Sequence, residues 1–113
     1  MEITTRLQED IVVVGVIGQL AGSDNSEFLR IALEDQIMNG NKKIIVNLSN
    51  VPYMDSMALG VLVRGFTTVS RLGGRLVLTS LTKKISDLLI VTRLLRIWDI
   101  YEDETVAIQS FSQ

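Results

Sequence analysis

The sequence predicts a single α/β domain in which helices pack on a mixed, mostly parallel β-sheet. Three observations carry that prediction. Short apolar runs alternate along the chain with segments whose apolar residues recur at helical spacing, an order that leads to parallel pairing and right-handed crossovers. Two runs at the start, separated only by Glu9-Asp10, read instead as a hairpin. Finally, 113 residues without a linker, repeat or low-complexity tract make one core, a single domain over 1–113.

Taken in order, Ile3 to Gln8 and Ile11 to Gln19 are the hairpin strands. The second is almost continuously apolar, which predicts a central strand covered on at least one face. Gly18 to Ser26 reads as a loop with several capping residues. Phe28, Leu29, Ala32, Leu33 and Ile37 then follow helical spacing up to the stop signal Asn39-Gly40. Lys42-Lys43 leads into Ile44 to Leu48, a buried strand. Leu59, Leu62, Phe66, Val69 and Leu72 mark one face of a second long helix, which Gly73-Gly74 ends. Arg75 to Thr79 is the next strand. Thr82 to Thr92 is a helix with Ile85, Leu88 and Leu89 inward. Ile97 to Tyr101 reads as a short edge strand, and Asp103-Glu104-Thr105 opens a last helix carrying Val106, Ala107, Ile108 and Phe111.

The residues that are missing narrow the chemistry. The chain has no histidine and no cysteine. It therefore lacks the usual general base near neutral pH, the commonest metal ligand, and any thiol nucleophile or disulfide. The 13 Asp and Glu residues are scattered without metal-ligand spacing. No catalytic residue, metal site or cofactor is expected. A formal net charge of −2 with no basic stripe argues against direct binding of nucleic acid. The run Ile11 to Ile17 is too short to span a bilayer, and no apolar leader opens the chain, so neither membrane insertion nor export is expected and the protein reads as cytoplasmic. Gly18, Gly22 and Gly60 lack the spacing of a phosphate loop and read as turn or packing residues. Trp98 and Tyr101 read as packing residues, and of Met54 and Met57 one suits the core and the other an adaptable contact.

Asp55-Ser56 is the most informative pair. It stands where an apolar strand has ended and an amphipathic helix begins. Aspartate and serine there are ordinary capping chemistry. A phosphate on that serine would also meet the unpaired N–H groups and the positive end of the helix dipole, so the fold could carry it. The two roles can coexist.

The run Ile44-Ile45-Val46-Asn47-Leu48-Ser49-Asn50-Val51-Pro52-Tyr53-Met54-Asp55-Ser56, followed by Leu59-Gly60-Val61-Leu62, resembles the STAS domain family, and within it the stand-alone bacterial anti-sigma-factor antagonists. Gly73-Gly74 and Trp98 to Glu104 fit the same pattern, so the resemblance covers essentially the whole chain. It implies a STAS-like fold and a binding module rather than an enzyme. In that family the unphosphorylated antagonist binds an anti-sigma factor that is also a serine kinase, and so frees a sigma factor. The kinase then phosphorylates the serine after the motif's aspartate, and a separate serine phosphatase resets the switch. Carried over, phosphorylation falls on Ser56. Partner contacts fall on Asp55, Ser56 and Met57 and on the loop from Gln19 to Ser26, with Gln19, Ala21, Ser23 and Asp24. The added charge of nearly two units would sit on a surface that must be desolvated. A loss of about 3–4 kcal/mol there lowers affinity by hundreds-fold.

The chain departs from the family pattern at three places. Met57-Ala58 stands where Ser or Thr followed by Gly is common. Ala21 stands where many antagonists carry Asp, in a loop one residue longer. Arg93 occupies a position where glycine is usual. The alternative reading keeps the domain but gives it to another signalling assembly, as a STAS scaffold without phospho-switching. A small carboxylate enzyme or an accessory subunit of a transporter is disfavoured by the lack of histidine, cysteine and any transmembrane segment, although a detached transport subunit would also lack the segment.

Overall fold

The computed structural model describes residues 1–112. Its elements follow the expected order: β1 (Glu2–Gln8), β2 (Ile11–Ile17), α1 (Ser23–Met38), β3 (Lys43–Asn50), α2 (Ser56–Arg71), β4 (Arg75–Thr79), α3 (Lys83–Val91), β5 (Ile100–Tyr101) and α4 (Glu104–Ser110). The five strands form one sheet in the order β1-β2-β3-β4-β5. β1 and β2 are antiparallel, and every later pair is parallel. The sheet is thus mixed and mostly parallel, as the alternation of elements required.

Both faces of the sheet are covered, and the strand sequences show why. Val12, Val14 and Val16 of β2, Ile44, Val46 and Leu48 of β3, and Leu76 and Leu78 of β4 enter one core with the inner faces of α1, α2 and α3. Their neighbours Ile11, Val13, Ile45 and Val77 point to the other face and pack under Ala107, Ile108 and Phe111 at α4. Successive strand residues alternate faces, so a strand buried on both sides must be apolar at every position. That is the apolar character of Ile11 to Val14 in β2 and of Ile44 to Val46 in β3. Trp98 is buried on the larger core, edge-on to Phe66 with ring centroids 6.1 Å apart. No helix among the described residues is long and apolar enough to cross a membrane.

Several boundaries differ from the sequence expectation. β2 stops at Ile17 because the β2–β3 register shifts between Gly15 and Ile17 and Gly18 turns at φ 106°. α1 starts at Ser23, inside the expected loop. β5 is only two residues long, so Ile97 to Asp99 lead into the strand rather than forming it. Phe28, Leu72 and Val106 are exposed although they share the spacing of buried neighbours. Phe28 precedes Leu29 on the outer flank of α1, and Leu72 is already the C-terminal cap of α2. Gly74, by contrast, is fully explained by packing: a Cβ there would stand 2.3 Å from the Lys42 carbonyl oxygen and 2.9 Å from Val69 Cγ1.

Candidate functional site

β3 runs out at Asn50, and Val51 to Asp55 carry the chain from the sheet to the start of α2. Val51 and Met54 are buried there, while Tyr53 is 47% exposed. The segment is pinned at both ends. The Thr82 hydroxyl donates to the Val51 carbonyl at 2.9 Å. The Leu20 N–H donates to the Tyr53 carbonyl at 2.9 Å, and the Asp55 N–H donates to the Leu20 carbonyl at 3.0 Å, forming an isolated parallel bridge between Leu20 and Met54. Leu20 itself is completely buried. The loop from β2 and the approach to α2 therefore form one hydrogen-bonded ridge.

Asp55 is the N-cap of α2. Its backbone is extended, and its Oδ1 accepts from the Ala58 N–H at 3.0 Å. Its Oδ2 accepts from the Gly22 N–H at 2.8 Å. Gly22, at φ 90°, is in turn the N-cap of α1, which has no side-chain cap of its own. One carboxylate thus ties together the N-termini of two 16-residue helices. The N–H of Ala58, then that of Gly22, hold the Asp55 carboxyl below the usual carboxylate range, against a smaller opposing effect of burial. Side chains of α1 also fasten the segment that leads into it: Asn25 Nδ2 donates to the Gln19 and Ala21 carbonyls, and the Ser26 hydroxyl donates to the Gly22 carbonyl at 2.8 Å.

Ser56 follows as the first residue of α2, with an exposed side chain. Met57 beside it is 52% exposed, whereas Met54 is 2% exposed. The two methionines thus divide as core and surface. Gln19, Ser23 and Asp24 are also exposed, and Ala21 is half-buried. Ser23 and Asp24 lie in the first turn of α1 rather than in a loop. Through the Leu20–Met54 bridge and the Gly22–Asp55 hydrogen bond, the segment holding Gln19 and Ala21 and the turn holding Ser23 and Asp24 are joined to the Asp55-Ser56 corner. That joining is absent from the local sequence, since Gly22 and Asp55 are 33 residues apart. Among the described residues, no group of three or more Asp and Glu side chains is arranged to hold a metal ion.

Comparison with known proteins gives the family. The STAS domain profile matches residues 2–107. The chain belongs to the STAS family. A Thermotoga neapolitana protein provisionally assigned as an anti-sigma factor antagonist is 31% identical to this STAS domain over 105 residues, covering 92% of each chain. The anti-sigma F factor antagonist of Paenibacillus polymyxa is 24% identical over 109 residues, covering 96% of this chain and 92% of its own. Among solved structures, a Thermotoga maritima protein with the same provisional assignment superimposes with a TM-score of 0.92 at 28% identity, over 98% of this chain and 95% of that one. The phosphorylated form of the Bacillus protein SpoIIAA shares the fold, with a TM-score of 0.77 at 20% identity over 97% of this chain and 99% of its own.

Proposed function

We propose that this STAS domain is an anti-sigma factor antagonist whose partner surface is centred on Ser56. Its relatives carry that description along nearly their whole length, which favours a binding role rather than catalysis. The observation that carries the reading is the exposed Ser56 on the first turn of α2, backed by an Asp55 whose two carboxylate oxygens are both engaged by the fold. Such a serine can gain a phosphate without disturbing the helix, because the first-turn N–H groups and the dipole favour negative charge. The partner is an anti-sigma factor that is also the serine kinase, and a serine phosphatase removes the phosphate.

In this reading Tyr53 and Met57 supply apolar contact beside Ser56, and Gln19, Ala21, Ser23 and Asp24 line the adjoining side. Phosphorylation acts on binding rather than on stability: nearly two added charges must be desolvated in the complex. The test is incubation with candidate anti-sigma kinases and ATP, with site mapping, followed by affinity measurements. Phosphate on Ser56, tight binding by wild type and Ser56→Ala, and binding at least tenfold weaker for Ser56→Asp support the switch. Equal affinity for Ser56→Ala and Ser56→Asp, with no phosphate incorporated by a kinase that does bind, refutes it and leaves a constitutive scaffold.

A further inference from the structure

The two edges of the sheet are treated very differently. β5 is two residues long, so it offers almost no unpaired backbone. β1 is seven residues long, pairs among the described residues only with β2, and contains neither proline nor lysine. Long flat edges are normally blunted by such residues, by bulges or by a covering element. Here α1 flanks the edge and adds apolar surface: a groove of about 450 Å³ runs between β1 and α1, with Ile3, Phe28 and Ile31 in its lining. Leu7 is 64% exposed and Phe28 is 58% exposed, and Met1 and Ile31 are exposed as well.

The sequence of β1 is complementary to itself when reversed about Thr4. Antiparallel pairing with Thr4 opposite Thr4 sets Glu2 opposite Arg6 twice, Ile3 opposite Thr5 twice, and Met1 opposite Leu7 twice. The odd residues lie on the α1 side, where Ile3 packs against the larger core. The even residues lie on the α4 side, where Arg6 bonds Glu104 at 2.8 Å. One face of the new ladder is therefore mainly apolar, with Thr5 its polar member, and the other carries two opposite-charge pairs. Directly opposed charges of opposite sign stabilise a ladder, and like charges oppose it. The guanidinium has five N–H donors and can serve Glu104 and the second copy's Glu2 together.

We propose that β1 is a self-association edge, where a second copy of this chain adds its β1 antiparallel about Thr4 and continues the sheet across a two-fold axis. The contact is isologous, so it closes as a dimer and does not propagate. The charge pattern is what selects a second copy over an unrelated strand.

Sedimentation equilibrium of the full chain over rising concentration tests it. The expected mass shifts from 12.6 kDa toward twice that value. Leu7→Lys and Glu2→Lys each weaken association at least tenfold while leaving the circular dichroism spectrum unchanged. The register is tested separately, because the chain has no cysteine of its own. Antiparallel partners have Cα atoms about 4.5–5.5 Å apart, within the reach of a disulfide. Thr4→Cys therefore cross-links to a dimer under mild oxidation, whereas Gln8→Cys, beyond the end of the paired segment, does so at least tenfold more slowly. A mass that stays monomeric at several hundred micromolar overturns the proposal. So does a dimer in which Thr4→Cys cross-links no faster than Gln8→Cys, or one that Leu7→Lys leaves intact.

Discussion

Replacing Asp55 tests whether the corner beneath Ser56 is held by one carboxylate. Asp55→Ala removes the N-cap hydrogen bond to Ala58, which typically contributes about 1 kcal/mol. It also removes the bond from the Gly22 N–H, worth roughly 0.5–1 kcal/mol, because Gly22 is exposed and its N–H can return to water. The expected loss is about 1.5–2 kcal/mol. At an m-value of roughly 1–3 kcal/mol/M in urea, that moves the unfolding midpoint down by about 1 M. Trp98, the only tryptophan and a buried one, reports the transition by fluorescence. Asp55→Asn has only one acceptor oxygen for the two N–H groups, so it should lose about half as much.

The pH dependence adds a second check. The folded Asp55 carboxyl titrates below its unfolded value, so its contribution is fully present above the unfolded pKa, about 3.9, and is lost as pH falls through the folded pKa. The stability gap between wild type and Asp55→Asn should be open at pH 7 and close in that acid window. An Asp55→Ala loss below about 0.3 kcal/mol contradicts the capping magnitudes, and a wild-type to Asp55→Asn gap constant from pH 7 into strong acid contradicts the linkage. Either result refutes the two-helix tie. Because Asp55→Ala loosens the ridge, a binding defect in it is not evidence of direct contact. Ser56→Ala is the cleaner probe.

Other outcomes follow from the same structure. Arg93 sits at φ 62° just past α3, where the Leu94 N–H reaches back to the Leu89 carbonyl at 2.9 Å. Arg93→Gly relieves a left-handed strain of about 1–2 kcal/mol against a glycine entropy cost of about 0.5–1 kcal/mol, so a small rise in melting temperature is expected by calorimetry. Gly74→Ala should destabilise by at least about 2 kcal/mol in urea, since the Lys42 backbone must move to admit a Cβ. Leu62→Ala, at a fully buried position of α2, should lose about 2–5 kcal/mol in the same measurement. Arg30→Ala, which removes exposed helical pairs with Glu27 and Glu34, should leave the urea midpoint nearly unchanged.

Local chemistry made the elements of this protein legible. Continuous apolar runs at β2 and β3, helical spacing after Asp55, and Gly73-Gly74 between α2 and β4 are short-range signals of burial period and chain reversal. They sufficed for the element order, the hairpin and the mostly parallel sheet. They also placed Asp55-Ser56 at the start of a helix, because capping depends on N–H groups only a few residues away. The starting point of α1 was less legible, since its cap Gly22 is held by a carboxylate from another part of the chain. Which apolar residues remain outside was also undecided: Phe28, Met57 and Leu7 have the same chemistry as buried neighbours.

Sequence alone determined the alternation of strands and helices, the absence of histidine and cysteine chemistry, and the serine at a helix start. Only the tertiary structure decided that Asp55 joins the N-termini of α1 and α2, that Met57 faces out while Met54 faces in, and that β1 is the long open edge. The physical reason is range. Backbone propensity and side-chain period act over a few residues, whereas a shared hydrogen bond, a face of burial and a free strand edge exist only once distant segments are packed together.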